Sequence, residues 1–266
     1  MTTTHEENYA FPRGFNLGDL ILEGNRMPLL TPSEDGGFCL LYDDVSEKKA
    51  DALLESLSLQ LLEHMPLESL RVEMFDFGRK KFYHLSPLQY LSIYRVSHDD
   101  KMIAEHFEEL EHTIITRHQE LLCCNRPNLN AHNQKSKLKQ NYHLVLINLH
   151  HFPTTEIELR RIKNFVESAV HAGVYVIAFG NQEIETSGHE GVQTILKHFK
   201  NLRVTNNEFE ITSEIFEHTQ VFEVATFEPL DLARPALLEQ IMTNANPEER
   251  FAPESIKLET DTKVMK

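Results

Sequence analysis

Two spacings of apolar residues alternate along the chain. Residues 38–42 (Phe38, Cys39, Leu40, Leu41, Tyr42) form an unbroken apolar run that reads as a buried strand. After a polar stretch, Ala50, Leu53, Leu54, Leu57 and Leu61 recur at helical spacing and predict a helix over 46–63. The same pairing returns later in the chain. A strand is predicted over 71–77, ended by Gly78, and a short one over 91–96. Asp99 or Asp100 is placed to cap a helix reaching Cys124, with Met102, Ile103, Phe107, Leu110, Ile114 and Leu121 on its apolar side. Residues 142–149 are the most hydrophobic strand, 156–171 an amphipathic helix ended at Ala172-Gly173, and 174–179 a further buried strand. A helix over 188–199 and short strands near 202–205, 209–212 and 221–226 follow.

The intervening segments carry turn chemistry. Residues 15–30 read as short strands about turns at Gly18-Asp19 and Glu23-Gly24-Asn25, and 31–37 as a turn cluster. Residues 125–140 are polar, basic and poor in large apolar side chains, the pattern of a mobile loop. The chain divides into a flexible start (1–14), an α/β domain (15–228) and a mostly extended tail (229–266) with a short helix at 236–242. Strands alternating with helices predict a mainly parallel sheet covered on both faces. In it 38–42, 72–77, 144–149 and 174–179 lie adjacent, with helices 46–63 and 156–171 packed against them.

Strand, tight polar turn and helix over 38–63 form the framework of a phosphate-binding loop, G-x-x-x-x-G-K-[ST]. Lys49 falls on the motif lysine. Asp43 stands at the first glycine, Lys48 at the second and Ala50 at the closing hydroxyl. Glycines let backbone amides curl around phosphate, and the hydroxyl is a Mg²⁺ ligand, so each replacement removes a function. Two cations in a first helical turn oppose the helix dipole. Ion pairs from Asp43 or Asp44 to Lys48 or Lys49 would relieve this and fill the former phosphate site from within. The plainer reading is an ordinary strand-to-helix turn capped by Ser46.

Composition narrows the class. The 266 residues are 41% hydrophobic and 25% charged, those of a folded globular chain. No apolar run approaches the ~20 residues of a membrane span. Residues 1–7 lack the basic start and apolar core of a signal peptide, and three cysteines make no disulfide framework, so a reducing, cytoplasmic setting is expected. Other constellations have bland counterparts. His150-His151 with Asp76 suggest a metal site or, more plainly, polar strand-end residues. Cys123-Cys124 with His118 or His112 suggest a nucleophile or two packed thiols at a helix end. Asp43, Asp44, Asp76 and Glu47 suggest a carboxylate metal site, or internal ion pairs with Lys48 and Lys49. The basic run Lys135 to Lys139 suggests contact with an acidic partner, or a solvated loop.

The order of features resembles the RecA-like motor domain of the FtsK/SpoIIIE translocases and their secretion-system relatives, over residues 15–226. It rests on the loop strand with its leucine-rich helix, on Phe75-Asp76-Phe77-Gly78, and on a long helix with Glu108 and Arg117. The strand Leu144 to Leu149 and the run Ala172-Gly173-Val174-Tyr175-Val176-Ile177-Ala178 complete it. The resemblance implies a three-layer RecA-like P-loop fold, α/β, with a mainly parallel sheet. In the family the strand matching Leu144 to Leu149 ends in Asp-Glu, for metal and water activation; here Asn148 and Leu149 stand there. The family's Gln-Arg sensor pair is reduced to Gln182 without an arginine. Asp43, Lys48, Lys49, Ala50, Asn148 and Leu149 are thus vestigial nucleotide-site positions, with no catalytic residue, metal or cofactor expected. Two readings follow: a pseudo-ATPase acting as a structural or protein-binding part of a translocase, secretion or defence assembly, or a divergent active hydrolase or unrelated α/β enzyme using His150 or Asp76. The first implies protein partners, a homo-oligomer or an FtsK-like motor subunit, with no membrane insertion. Net charge is −15, so long-range repulsion acts against a phosphate backbone. The isolated chain is expected to bind duplex DNA weakly or not at all. Micromolar affinity at physiological salt, falling steeply as salt is raised, would contradict this.

Overall fold

A computed structural model describes residues 9–153, 157–217 and 224–245. The main sheet has seven strands in the order β5-β4-β6-β7-β3-β8-β9. They are β3 (Gly37–Tyr42), β4 (Leu70–Phe75), β5 (Tyr94–Ser97), β6 (Tyr142–Asn148), β7 (Val174–Asn181), β8 (Lys200–Thr205) and β9 (Glu208–Glu210). All neighbours pair in parallel except β8 with β9. The strands predicted as the core therefore stand side by side, as β4-β6-β7-β3.

Side-chain alternation along each strand sorts residues between two cores. From β3, Phe38, Leu40 and Tyr42 join Ala50, Leu53, Leu54, Leu57 and Leu61 of α1 (Glu47–His64) on one face. Cys39 and Leu41 join the opposite face, covered by α2 (Asp100–Glu120), α4 (Leu159–Ser168) and α5 (Glu190–His198). Every residue of β3 and β6 is buried, as two covered faces require. Each large aliphatic side chain so enclosed contributes roughly 1.5–3 kcal/mol. A second, antiparallel sheet, β10-β1-β2, lies on the α1 side and sends Phe15 and Leu17 into that core. Its strands are β1 (Gly14–Leu22), β2 (Asn25–Pro32) and β10 (Thr226–Pro229). The β1–β2 turn falls at Glu23-Gly24, as predicted.

Several local expectations are corrected. Gly18-Asp19 is no turn but lies inside β1, beside a bulge at 16–18, paired with Pro229 and Glu228 of β10. The polar segment 125–140 holds a helix, α3 (Leu129–Lys135), capped by Asn128 and anchored by buried Leu129, His132 and Asn133. Polar composition misled there because side-chain amides do the anchoring: Asn133 bonds the backbone of Gln140 in both directions. Asp99 caps α2 through the amide of Met102, as expected, but the helix ends at Glu120 and a turn from Cys123 to Arg126 follows. The helix predicted over 156–171 is described as 159–168; Glu156 and residues 221–223 of a predicted strand lie outside the described residues. In the C-terminal region α6 (Arg234–Ala245) is longer than the predicted 236–242 and lays Ile241 into the α1-side core.

Gly37 opens β3 at φ 144°, and a Cβ there would lie 1.7 Å from the carbonyl oxygen of Val176. The β3–β7 pairing at this position therefore needs glycine. Gly37→Ala is expected to cost about 2–4 kcal/mol, from strain plus displaced backbone. Urea unfolding of the variant against the parent measures it, and an unchanged midpoint would refute the reading.

Candidate functional site

The turn joining β3 to α1 is closed by its own residues. The Ser46 amide donates to the Asp43 carbonyl at 3.0 Å and to its Oδ1 at 2.9 Å, while Oδ2 accepts the Asn206 amide at 2.8 Å. Hydrogen bonds from Ser46 and then Asn206 hold the Asp43 carboxyl below the ordinary carboxylate range. Ser46 occupies the N-cap position, yet its hydroxyl makes no capping bond; Oγ accepts the Asn207 amide at 2.8 Å. Lys49 Nζ donates to the Asn207 carbonyl at 2.6 Å. The β8–β9 turn, with Asn206 and Asn207 both at positive φ, is thereby pinned onto this loop. Residues 43–50 include no positive φ, so the backbone does not take the curled path that glycines would permit.

The expected Asp–Lys pairs are not formed. Asp43 is taken by two amides, Asp44 Oδ1 accepts from Asn181 Nδ2 at 2.6 Å, Lys49 reaches a carbonyl, and Lys48 is exposed. The backbone amides of Ser46 and Asn206 hold Asp43 and the side-chain amide of Asn181 holds Asp44, in place of flexible ammonium groups that would lose more freedom on pairing.

The cation at the first turns of α1 comes instead from Lys80. Phe77 and Gly78 both take positive φ just beyond β4, and the Arg79 amide donates to the Asp76 carbonyl at 2.9 Å. This tight reversal returns Lys80 toward α1. Its Nζ lies 2.7 Å from Glu47 Oε1 and 2.8 Å from Asp51 Oδ1, with the side chain 7% exposed. It also stands 4.8 Å from the Tyr42 ring centroid and 5.9 Å from that of Phe179. Burial works against this charge, but Asp51 and Glu47 outweigh it and raise the Lys80 pKa. Burial lifts the Asp51 carboxyl, Lys80 offsetting that only in part. The sequence reading passed over Lys80; the signal was three consecutive cations, Arg79 to Lys81, directly after a strand-end turn.

A hydrogen-bonded chain runs across the carboxyl ends of the four central strands. Asp44 meets Asn181; the Asn181 amide donates to His150 Nε2 at 3.0 Å; the His150 amide donates to Asn148 Oδ1 at 3.1 Å; and Asn148 Nδ2 donates to Asp76 Oδ1 at 2.5 Å. The other Asp76 oxygen accepts the Lys80 amide. Asn148 is thus a donor and acceptor within this chain, and neighbouring Leu149 is buried and apolar. His151 stacks on Phe77, with centroids 4.9 Å apart. Among the described residues no group of three His, Cys, Asp or Glu side chains is placed to hold a metal. Cys123 and Cys124 are exposed rather than packed; Cys123 Sγ donates to Asn125, and His118 bonds the Ser168 carbonyl. Lys135 and Lys139 reach the Asn125 and Asn133 carbonyls, within the loop itself.

This architecture is that of a three-layer RecA-like P-loop fold. Solved structures share it at low identity. EssC (ATPases 2 and 3) from Geobacillus thermodenitrificans has a TM-score of 0.60 at 15% identity, over 92% of this chain and 50% of that one. The pCW3 conjugation coupling protein TcpA, in a monomer form with ATPγS, scores 0.58 at 12% identity over 89% and 72%. The cytoplasmic domain of the Thermomonospora curvata type VII secretion ATPase EccC scores 0.52 at 13% over 74% and 24%. The chain spans half the length of the EssC structure and about a quarter of the EccC one. At these identities the likeness is one of fold. No protein-family model and no curated protein matches the sequence. Among the described residues no helix is long and apolar enough to cross a membrane.

Lys80→Met would leave the part-buried Asp51 without its cation and is expected to cost roughly 1–3 kcal/mol. Lys48→Met, at an exposed position, should stay within about 0.5 kcal/mol of the parent. Chemical denaturation of the two variants tests the contrast; equal effects would show that the Lys80 pair carries no stability.

Proposed function

We propose that this domain is a pseudo-ATPase: an FtsK-like module that keeps the P-loop fold without the chemistry. It serves as a structural or protein-binding part of a larger translocase, secretion or defence assembly in the cytoplasm. The observation that carries the reading is Lys80, whose ammonium occupies the first turns of α1 between Glu47 and Asp51. A phosphate loop has to offer that helix end to an anion. Here a resident cation and two carboxylates take the space, and the Ser46 amide is already bonded to Asp43.

The other vestigial positions support the same conclusion. At Lys48 and Ala50 the glycine and the metal-binding hydroxyl are missing. Asn148 cannot supply anionic charge to a metal or act as a base at neutral pH, and Leu149 can do neither. Phosphoryl transfer depends on positioning and charge neutralisation, so these losses compound. Lys49 keeps the motif identity but spends its ammonium on the Asn207 carbonyl. The EssC structure carries two ATPases and this chain spans half of it, which supports one module of a multi-module machine whose partners are protein.

The purified chain is expected to show no Mg²⁺-dependent ATP hydrolysis and no saturable nucleotide binding, and Asn148→Asp alone should recover neither. Turnover abolished by Lys49→Ala would overturn the proposal.

A further inference from the structure

Toward the amino ends of the strands, away from the 43–46 turn, the face beneath α2 departs from the apolar rule for a doubly covered sheet. Arg71 of β4 is the register partner of His143 of β6, and Glu73 of β4 that of Arg95 of β5. Alternation points all four to the α2 side, where Phe75, Val145 and Ile147 of the same strands are packed. A parallel sheet covered on both faces normally carries aliphatic residues at such positions. Here the polar quartet, with Gln89 and Thr113, lines a cleft of about 450 Å³ between sheet and helix. That volume is in the range of small-molecule sites.

The quartet is internally ordered but not saturated. Glu73 is 3% exposed; its Oε1 accepts from His143 Nδ1 at 2.7 Å and its Oε2 from Arg95 Nη2 at 2.7 Å. Arg95 Nη1 continues to Glu109 Oε2 at 2.9 Å. Burial opposes the charge on Glu73, but the hydrogen bond from His143 and the Arg95 guanidinium outweigh it and hold its carboxyl below the ordinary range. Burial lowers the His143 pKa, with Glu73 opposing, so the neutral ring carries its proton on Nδ1 toward the carboxylate. Nε2 is then a fixed acceptor, with no partner among the described residues. A carboxylate-oriented imidazole is the arrangement that presents the far nitrogen to a ligand. Arg71 lines the same cleft, and its guanidinium makes no hydrogen bond or ion pair among the described residues.

We infer that this cleft is a binding site for a small hydroxy-monocarboxylate, its carboxylate held by Arg71 and a hydroxyl donated to His143 Nε2. Arg71 supplies a planar fork that suits a carboxylate. Arg71 and Arg95 against Glu73 and Glu109 bring the cleft to neutrality, with Arg71 the cation not already held by a carboxylate, which disfavours a doubly charged phosphate relative to a monoanion. The inference is independent of the pseudo-ATPase reading, because none of these residues takes part in the turn, α1 or the strand-end chain.

The test uses the full chain with D-gluconate as the probe and acetate as the control lacking a hydroxyl. Imidazole ¹⁵N spectra report His143 directly, and calorimetry reports affinity. Gluconate is expected to shift the His143 Nε2 resonance saturably and to bind more tightly than acetate. Arg71→Gln, an exposed and fold-neutral change, should weaken gluconate binding by about tenfold or more, the effect of losing a charged hydrogen bond. No saturable shift with gluconate, equal affinity for acetate, or unchanged binding by the Arg71→Gln variant would each overturn the inference.

Discussion

Burial of the central sheet on both faces is the constraint from which the other features follow. Once α1 and the small sheet cover one face of β3, β6 and β7, and α2, α4 and α5 the other, polar side chains in mid-strand lose access to water. A group left there without a partner costs several kcal/mol. Polar chemistry is therefore expelled to the strand ends or bound into closed pairs. Both outcomes occur. The carboxyl ends carry the chain from Asp44 through Asn181, His150 and Asn148 to Asp76. Beneath α2, Glu73 is kept ionised only because His143 and Arg95 hold both its oxygens.

At the carboxyl ends, the turn between β3 and α1 is held by other parts of the protein. Two strand-end turns converge on it. The reversal after β4 delivers Lys80 to Glu47 and Asp51, and the β8–β9 turn delivers two amides and a carbonyl to Asp43, Ser46 and Lys49. Glu47 and Asp51 place carboxylates in the first turns of α1, where the helix dipole favours negative charge, and Lys80 pairs with both. The same hydrogen bonds and ion pairs fasten both turns to the start of α1.

Much of the fold was legible from side-chain spacing, because the physics behind it is local. The apolar run at 38–42, the 3.6-residue recurrence from Ala50 to Leu61 and the breaks at Gly78 and Gly173 each report what one element must bury. The parallel sheet with its four adjacent central strands followed from strand–helix alternation, while their order came only with the structure. Sequence reading failed where polar groups bury one another. It took 125–140 for a loop, although Asn128, Asn133 and His132 build and anchor a helix there, and it read Gly18-Asp19 as a turn although β10 pairs beside it from two hundred residues away in the chain.

Residue type and spacing alone gave the strand–turn–helix unit over 38–63, with Asp43, Lys48, Lys49 and Ala50 in its turn and Asn148-Leu149 at the end of the later strand. Only the tertiary structure decided what occupies the site and how its charges are settled. Asp43 and Asp44 were close enough in sequence to Lys48 and Lys49 to suggest pairing, yet electrostatics acts through space and favours the partner with the best geometry. The aspartates are taken by Ser46, Asn206 and Asn181, and the ion pair at the start of α1 is made by Lys80, separated from Glu47 by 33 positions and brought to it by the β4 turn. The His143–Glu73–Arg95 trio arises in the same way: strand register, not sequence proximity, places the three side chains within hydrogen-bonding distance.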